Sequence, residues 1–124
     1  MAKNQDFKEL LKLLKEKKVK YLIVGGQAVN FYSRGKFTED LDIWIEPTNK
    51  NAENIFLVLE KFGTGNLDIE ISDFLKRDNI VQIGFPPMRI DIMTSIEGID
   101  FNAAYKNKKK RISFWTQKSA IYFF

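Results

Sequence analysis

The sequence predicts a single α/β (α+β) domain in which helices flank a mixed β-sheet. Apolar residues recur at helical spacing in some segments, and short apolar or alternating runs typical of strands lie between them. No repeat, low-complexity tract or linker divides the 124 residues, and this length is sufficient for a hydrophobic core. We therefore expect one minimal domain spanning residues 1–124.

The first half of the chain alternates between predicted helices and strands. Helices are expected at residues 4–18, 27–33 and 47–63, and strands at residues 21–24 and 40–45. The first and third helices have an apolar stripe, and the first strand is continuously apolar, as in a buried strand. Residues 40–45 alternate strictly, which places Asp40, Asp42 and Trp44 on one face of that strand.

The second half is less regular. Residues 64–78 are ambiguous, with a short helix expected around residues 72–75. Residues 79–84 and 89–94 read as strands, and the short connection between them predicts an antiparallel hairpin. In the second of these strands Asp91 shares a face with Arg89 and Met93. A final strand is expected at residues 111–115.

The composition excludes several kinds of chemistry. The chain has no cysteine and no histidine. Disulfides, thiolate nucleophiles, zinc–thiolate sites and the Ser-His-Asp triad in its standard form are therefore excluded. Any metal must be held mainly by oxygen, which favours Mg²⁺, Mn²⁺ or Ca²⁺. No apolar run approaches the length of a membrane span and no signal core is evident, so a cytoplasmic protein without a membrane partner is expected.

Carboxylates and glycines form the candidate site. Asp40 and Asp42 lie on one strand face, and Asp91, on a later strand, is the best third carboxylate. Two-metal sites of this kind stabilise the attacking and leaving oxygens of an in-line phosphoryl displacement. Gly25–Gly26 lies at a strand-to-helix junction, where backbone N–H groups and a helix N-terminus favour a phosphate. Basic or hydroxyl side chains that precede the aspartates are further candidates for binding triphosphate oxygens, and they are Arg34, Lys36 and Thr38.

These segments resemble the polymerase-β-like nucleotidyltransferase superfamily. The matching stretches are Val24-Gly25-Gly26-Gln27-Ala28-Val29, Arg34 with Thr38-Glu39-Asp40-Leu41-Asp42-Ile43, and Arg89-Ile90-Asp91-Ile92. The chain is most similar to small prokaryotic members, including relatives of the AbiEii-type toxins of toxin–antitoxin systems. The resemblance implies a nucleotidyltransferase fold, with nucleotide binding at Gly25 and Gly26 and, less firmly defined, at Arg34 and Thr38. It also implies that Asp40, Asp42 and Asp91 bind Mg²⁺ or Mn²⁺ and carry catalysis.

The function expected from this resemblance is transfer of NMP from an NTP to a hydroxyl of a protein, RNA or small molecule, with release of pyrophosphate. The alternative is a non-catalytic module of the same fold that contacts a partner protein or a second copy of itself. The apolar C-terminal residues 120–124 motivate this alternative, although they would equally suit core packing. A weaker alternative is nucleic-acid binding through residues 106–111, where lysines cluster and a solvated loop is the ordinary interpretation.

Overall fold

The computed structural model describes residues 3–35, 40–63, 68–85, 88–113 and 119–124. Within these residues the α-helices are α1 (Lys3–Glu16), α2 (Gly26–Arg34), α3 (Asn49–Phe62) and α4 (Phe101–Lys106). The strands are β1 (Tyr21–Val24), β2 (Leu41–Ile45), β3 (Ile80–Phe85), β4 (Met88–Met93), β5 (Lys109–Ser113) and β6 (Ser119–Phe123). A short 3₁₀ helix covers Ile71–Phe74.

The six strands form one mixed sheet with the order β3-β4-β2-β1-β6-β5. Strand β2 is antiparallel to β1 and parallel to β4, and β6 is parallel to β1. The hairpins β3–β4 and β5–β6 are antiparallel. The predicted α/β architecture with a mixed sheet and flanking helices is therefore confirmed.

The main core lies between one face of the sheet and the helices α1, α2 and α3. Leu41, Ile43 and Ile45 of β2 are fully buried there, as their alternation with Asp42 and Trp44 predicts. The apolar stripe of α1 packs into the same core. Burying these side chains supplies most of the hydrophobic stabilisation, about 1.5–3 kcal/mol for each large aliphatic side chain.

A smaller core covers part of the opposite face. Trp44 is 1% exposed, and its ring packs edge-on against Phe101 of α4 and against Phe124, with centroid distances of 5.1 Å and 5.6 Å. Helix α4 was not predicted; it has only six residues and begins at Asp100, whose side chain accepts a hydrogen bond from Ala103 N. Because this cluster covers the end of β2 that holds Trp44, the end that holds Asp42 is left partly accessible.

The predicted start and end of α3 are confirmed by its caps. The Thr48 side chain accepts a hydrogen bond from Asn51 N, and Gly63 adopts the left-handed conformation that ends the helix. The short helix expected near residues 72–75 is present as the 3₁₀ helix at Ile71–Phe74. Residues 64–67 lie outside the described residues.

The C-terminal region differs from the expectation. Strand β5 begins at Lys109, two residues earlier than expected, and the strand β6 that follows was not predicted. Ile121 and Phe123, which the sequence left open as an exposed contact surface, are fully buried because β6 lies between β1 and β5. Phe124 remains 48% exposed. Core packing is therefore the outcome for Ile121 and Phe123, while association through the C-terminal residues stays a prediction.

The described helices include no candidate for a membrane-spanning segment. Helices α1 and α3 have 14 residues each, and no described helix combines the length and the apolar character needed to cross a bilayer.

Candidate active site

Asp40, Asp42 and Asp91 lie at one end of the partly covered sheet face. Strand β2 pairs in parallel with β4 in a register that sets Asp42 directly beside Asp91. Asp40 immediately precedes β2 and, by strand alternation, shares the face of Asp42. The structure thus brings together the three carboxylates that the sequence suggested, two of them from neighbouring strands.

Arg89 links two of these carboxylates. Its Nη2 lies 3.5 Å from Asp40 Oδ2 and its Nε lies 3.7 Å from Asp91 Oδ1. The Arg89 Nε is buried and has no hydrogen-bond partner among the described residues. The guanidinium thus partly neutralises the three carboxylates and leaves the cluster with a local charge of about −2. The sequence placed Arg89 on the face of Asp91, but it gave no reason to expect a contact with Asp40.

Gln82 is a further polar member of the site that sequence reasoning missed. It pairs with Asp91 across the β3–β4 hairpin, and its Nε2 donates a hydrogen bond of 3.1 Å to Asp91 Oδ1. Its position between Val81 and Ile83 in the alternating strand places it on the carboxylate face. The hairpin register, once known, would have identified it.

The electrostatic environment of Asp42 differs from that of an ordinary surface aspartate. Burial raises the pKa of Asp42, and the neighbouring carboxylates of Asp91 and Asp40 raise it further, whereas Arg89 acts in the opposite direction. The charged form of Asp42 is therefore disfavoured by desolvation and by like charge. A bound cation would relieve both effects.

Gly25 packs directly against the Asp42 carboxylate. It precedes α2 with φ 79° and ψ −160°, a conformation essentially confined to glycine. A Cβ built on Gly25 would lie 2.8 Å from Asp42 Oδ2. Glycine is needed here for two independent reasons, the backbone conformation and the space that the carboxylate fills.

The N-terminus of α2 opens next to this contact. The N-cap residue of α2 is Gly25, which has no side chain to cap the helix, and a Cβ added to Gly26 would meet nothing within 4 Å. A helix N-terminus whose first residues lack side chains lets an anionic group approach the backbone. The glycine pair lies at the strand-to-helix junction that the sequence predicted, with Gly25 beside Asp42.

The remaining sequence candidates have different outcomes. Arg34 is the last residue of α2, about 12 Å along the axis of this nine-residue helix from Gly26. Its side chain is exposed and forms no ion pair with another described residue. Thr38 and Lys36 lie outside the described residues, so their predicted roles stay predictions.

The carboxylate oxygens of Asp40, Asp42 and Asp91 are chemically suited to bind a hard divalent cation. Carboxylate oxygens are the ligands that Mg²⁺ and Mn²⁺ prefer, and burial together with the neighbouring carboxylates of Asp91 and Asp40 raises the pKa of Asp42. No group of three acidic side chains within the described part of the chain is already converged on a common point. Cation binding would therefore require the carboxylates to draw together, with Arg89 giving up ion pairs to Asp40 and Asp91.

Comparisons with protein-family models, with curated proteins and with solved structures found no match to this chain. The class of protein that the described features define is an α/β protein with a six-stranded mixed sheet and an acidic site at one end of one sheet face.

Proposed function

We propose that this protein has the nucleotidyltransferase fold of the polymerase-β-like superfamily and is a divalent-metal-dependent nucleotidyltransferase. It transfers NMP from an NTP to an acceptor hydroxyl and releases pyrophosphate. The observation that carries the proposal is the meeting of Asp42 with both Asp91 and Gly25, three positions that lie far apart in the sequence.

Charge balance supports an anionic ligand accompanied by cations. A triphosphate next to three carboxylates would be repelled, whereas a divalent cation between the two sets of oxygens turns this repulsion into attraction. The N-terminus of α2 begins at Gly26, next to the contact between Gly25 and Asp42, where the helix dipole favours phosphate charge. The site therefore suits a metal–nucleotide complex better than either component alone.

The residues of the chain take distinct parts in the proposed reaction. Asp40, Asp42 and Asp91 would hold Mg²⁺ or Mn²⁺, and the metal would supply stabilisation of the charge that develops on the phosphate oxygens. Asp91, with Gln82 fixing its carboxylate, is placed to accept the proton of the acceptor hydroxyl. The hydroxyl oxygen forms a bond to the α-phosphorus, the bond from that phosphorus to the bridging oxygen breaks, and pyrophosphate leaves.

The test is transfer of label from α-³²P NTPs. The wild-type protein is incubated with each NTP, Mg²⁺ or Mn²⁺, and total RNA or total protein as acceptor. We expect label to become covalently attached in a metal-dependent reaction that Asp42→Asn abolishes, because this substitution removes the central ligand. Asp68→Asn, which neutralises an exposed acid outside the cluster, is the matched control and should retain transfer.

Isothermal titration tests ligand binding separately, because transfer would not be seen if the correct acceptor were absent from the assay. Wild-type protein should bind a non-hydrolysable NTP in the presence of Mn²⁺ even where no acceptor is supplied. If neither nucleotide nor metal binds, the nucleotidyltransferase assignment is wrong.

A further inference from the structure

The two edges of the sheet differ in charge. The strand order places β3 at one edge and β5 at the other. Strand β5 begins with three consecutive basic residues, and its Lys109 and Lys110 are exposed. Strand β3, Ile80–Phe85, contains no charged residue and no proline. Because exposed lysines protect an edge strand from pairing with another chain, β5 has this protection and β3 lacks it.

The outer edge of β3 presents backbone groups to solvent. In the β3–β4 hairpin Thr94 N donates to Asn79 O at 3.0 Å, and because antiparallel pairing alternates, the odd-numbered residues of β3 bond to β4. The N–H and C=O groups of Ile80, Gln82 and Gly84 therefore point away from β4. All three residues are exposed, and no hydrogen bond joins these outward groups to another part of the described chain.

The side chains of β3 are complementary to those of an identical strand. Antiparallel pairing of two copies around a two-fold axis at Gln82 sets Ile80 of each copy opposite Gly84 of the other. Ile80 is 61% exposed and Gly84 has no side chain, so the apolar side chain can lie over the glycine backbone without a clash. The same register brings the outward backbone groups of the two Gln82 residues together.

Gln82 lies at the centre of this arrangement and connects it to the carboxylate cluster. Its side chain donates one amide hydrogen to Asp91 Oδ1 at 3.1 Å. A primary amide has a second hydrogen and an acceptor oxygen, which suit reciprocal hydrogen bonds to the same amide of a second copy. Three strand spacings of about 4.8 Å would separate the two Asp91 backbones by roughly 14 Å, which exceeds the Debye length at physiological salt. Repulsion between the two clusters would therefore be largely screened.

A second copy of this chain is the partner that the β3 edge fits best. Because β3 has no charged residue, charge selects neither an acidic nor a basic partner protein. Pairing of β3 with β3 is closed after two copies, and it leaves the lysine-bearing strand β5 at both ends of the continuous sheet. Those lysines oppose the addition of further copies.

We propose that this protein forms a homodimer by antiparallel pairing of β3 with β3 across a two-fold axis at Gln82. Pairing through one strand edge buries less surface than a permanent dimer does, so we expect reversible association. The dimer does not depend on the proposed function, because neither nucleotide nor metal takes part in the pairing.

Sedimentation equilibrium over a range of protein concentrations, without metal or nucleotide, tests the proposal. Ile80→Lys places an ammonium group on the β3 edge, and Ile112→Lys makes the same change at an equally exposed position of β5, 61% in both cases. We expect the wild type to dimerise, Ile80→Lys to weaken association at least about tenfold, and Ile112→Lys to leave the dissociation constant unchanged. Thermal melts of both variants confirm that they remain folded.

Disulfide cross-linking tests the register independently of the lysine variants. Because the chain has no cysteine, Gln82→Cys introduces a single thiol. Across the two-fold axis the two Cα atoms would lie about 5.5 Å apart, a separation that a disulfide spans. Mild oxidation of a dilute sample should cross-link Gln82→Cys rapidly and Ile112→Cys slowly, and adding Ile80→Lys to Gln82→Cys should slow its cross-linking.

Three outcomes would overturn the dimer: a wild-type protein that stays monomeric at millimolar concentration, equal weakening by the two lysine variants, or equal cross-linking rates of the two cysteine variants. A monomer that catalyses metal-dependent transfer would overturn the dimer alone. A dimer that binds neither nucleotide nor metal would overturn the proposed function alone.

Discussion

Asp42 is the residue at which most of the site's interactions meet. It lies beside Asp91, within the field of Asp40 and Arg89, and against the backbone of Gly25. Its ionised form is disfavoured in the folded state, and this has a measurable consequence for stability even when no ligand is present.

The pKa shift of Asp42 makes the stability of the metal-free protein depend on pH. Because its folded-state pKa is raised, the folded protein binds more protons than the unfolded chain above the ordinary pKa of 3.8, and stability is lost as the pH rises through the folded-state pKa. Asp42→Asn should therefore raise stability at pH 7, by less than about 1 kcal/mol because solvent screens a partly exposed group. Denaturant titrations in EDTA at several pH values measure this.

The gain from Asp42→Asn should decrease as the pH falls and vanish where Asp42 is protonated in both states. A constant gain at all pH values would show that the raised pKa of Asp42 is not its cause. Asp68→Asn, which removes an exposed acid outside the cluster, serves as the control.

The two adjacent glycines should respond differently to alanine. Gly25→Ala introduces a Cβ 2.8 Å from Asp42 Oδ2 in a backbone conformation restricted to glycine, and should cost about 1–3 kcal/mol. Gly26→Ala places alanine in open space at the first residue of α2 and should be neutral or stabilise by up to about 1 kcal/mol. Urea denaturation of the two variants measures the difference. Equal free energies of unfolding would mean that Gly25 does not have this conformation.

At the scale of elements, one buried side chain ties α3 to the sheet. Asn51 is 4% exposed; its Oδ1 accepts from Lys20 N at 2.8 Å, and its Nδ2 donates to Lys20 O and Glu46 O at 3.0 Å and 2.9 Å. Through these bonds Asn51 of α3 joins the residue before β1 to the residue after β2. They help to fix the pair of strands that lead to Gly25 and Asp42.

Asn51→Ala should destabilise the fold by about 2–4 kcal/mol, because backbone groups of Lys20 and Glu46 lose buried partners. Asn102→Ala, at an exposed position of α4, should change the free energy of unfolding by about 0.5 kcal/mol or less. Chemical denaturation of both variants provides the comparison. A small effect at Asn51 would imply that water replaces its hydrogen bonds.

Local patterns predicted the elements that have strong periodicity or clear caps. The strict alternation of β2 gave the correct faces for Asp42 and Trp44, and Thr48 with Gly63 delimited α3. Strand β6 forms a hairpin with β5, but its place inside the sheet depends on pairing with β1, about a hundred residues away, which leaves no local signal. Helix α4 was missed because six residues are too few to show a helical period.

The candidate site could be predicted in its composition but not in its contacts. The carboxylates and glycines were recognisable from their spacing on predicted strands and turns. The Arg89 ion pair to Asp40 depends on β2 and β4 being neighbours, and the Gln82 contact depends on the hairpin register. Both contacts depend on how the strands pair in the folded sheet, which the residue pattern of a single strand does not reveal.

At the scale of the whole molecule, charge is divided across the sheet. The carboxylate cluster lies where β2 and β4 meet, and the exposed Lys109 and Lys110 lie on β5, one of the two edge strands. The modest net charge of +4 is therefore the sum of regions of opposite charge.

The most direct measurement of the central claim is Mn²⁺ binding, followed by electron paramagnetic resonance in the presence of a non-hydrolysable NTP. Wild-type protein and Asp68→Asn should bind Mn²⁺ with the nucleotide, and Asp42→Asn should lose at least about tenfold in affinity, or about 1.4 kcal/mol. Undiminished Mn²⁺ binding by Asp42→Asn, or no binding by the wild type, would contradict the assignment of these carboxylates to a metal–nucleotide site.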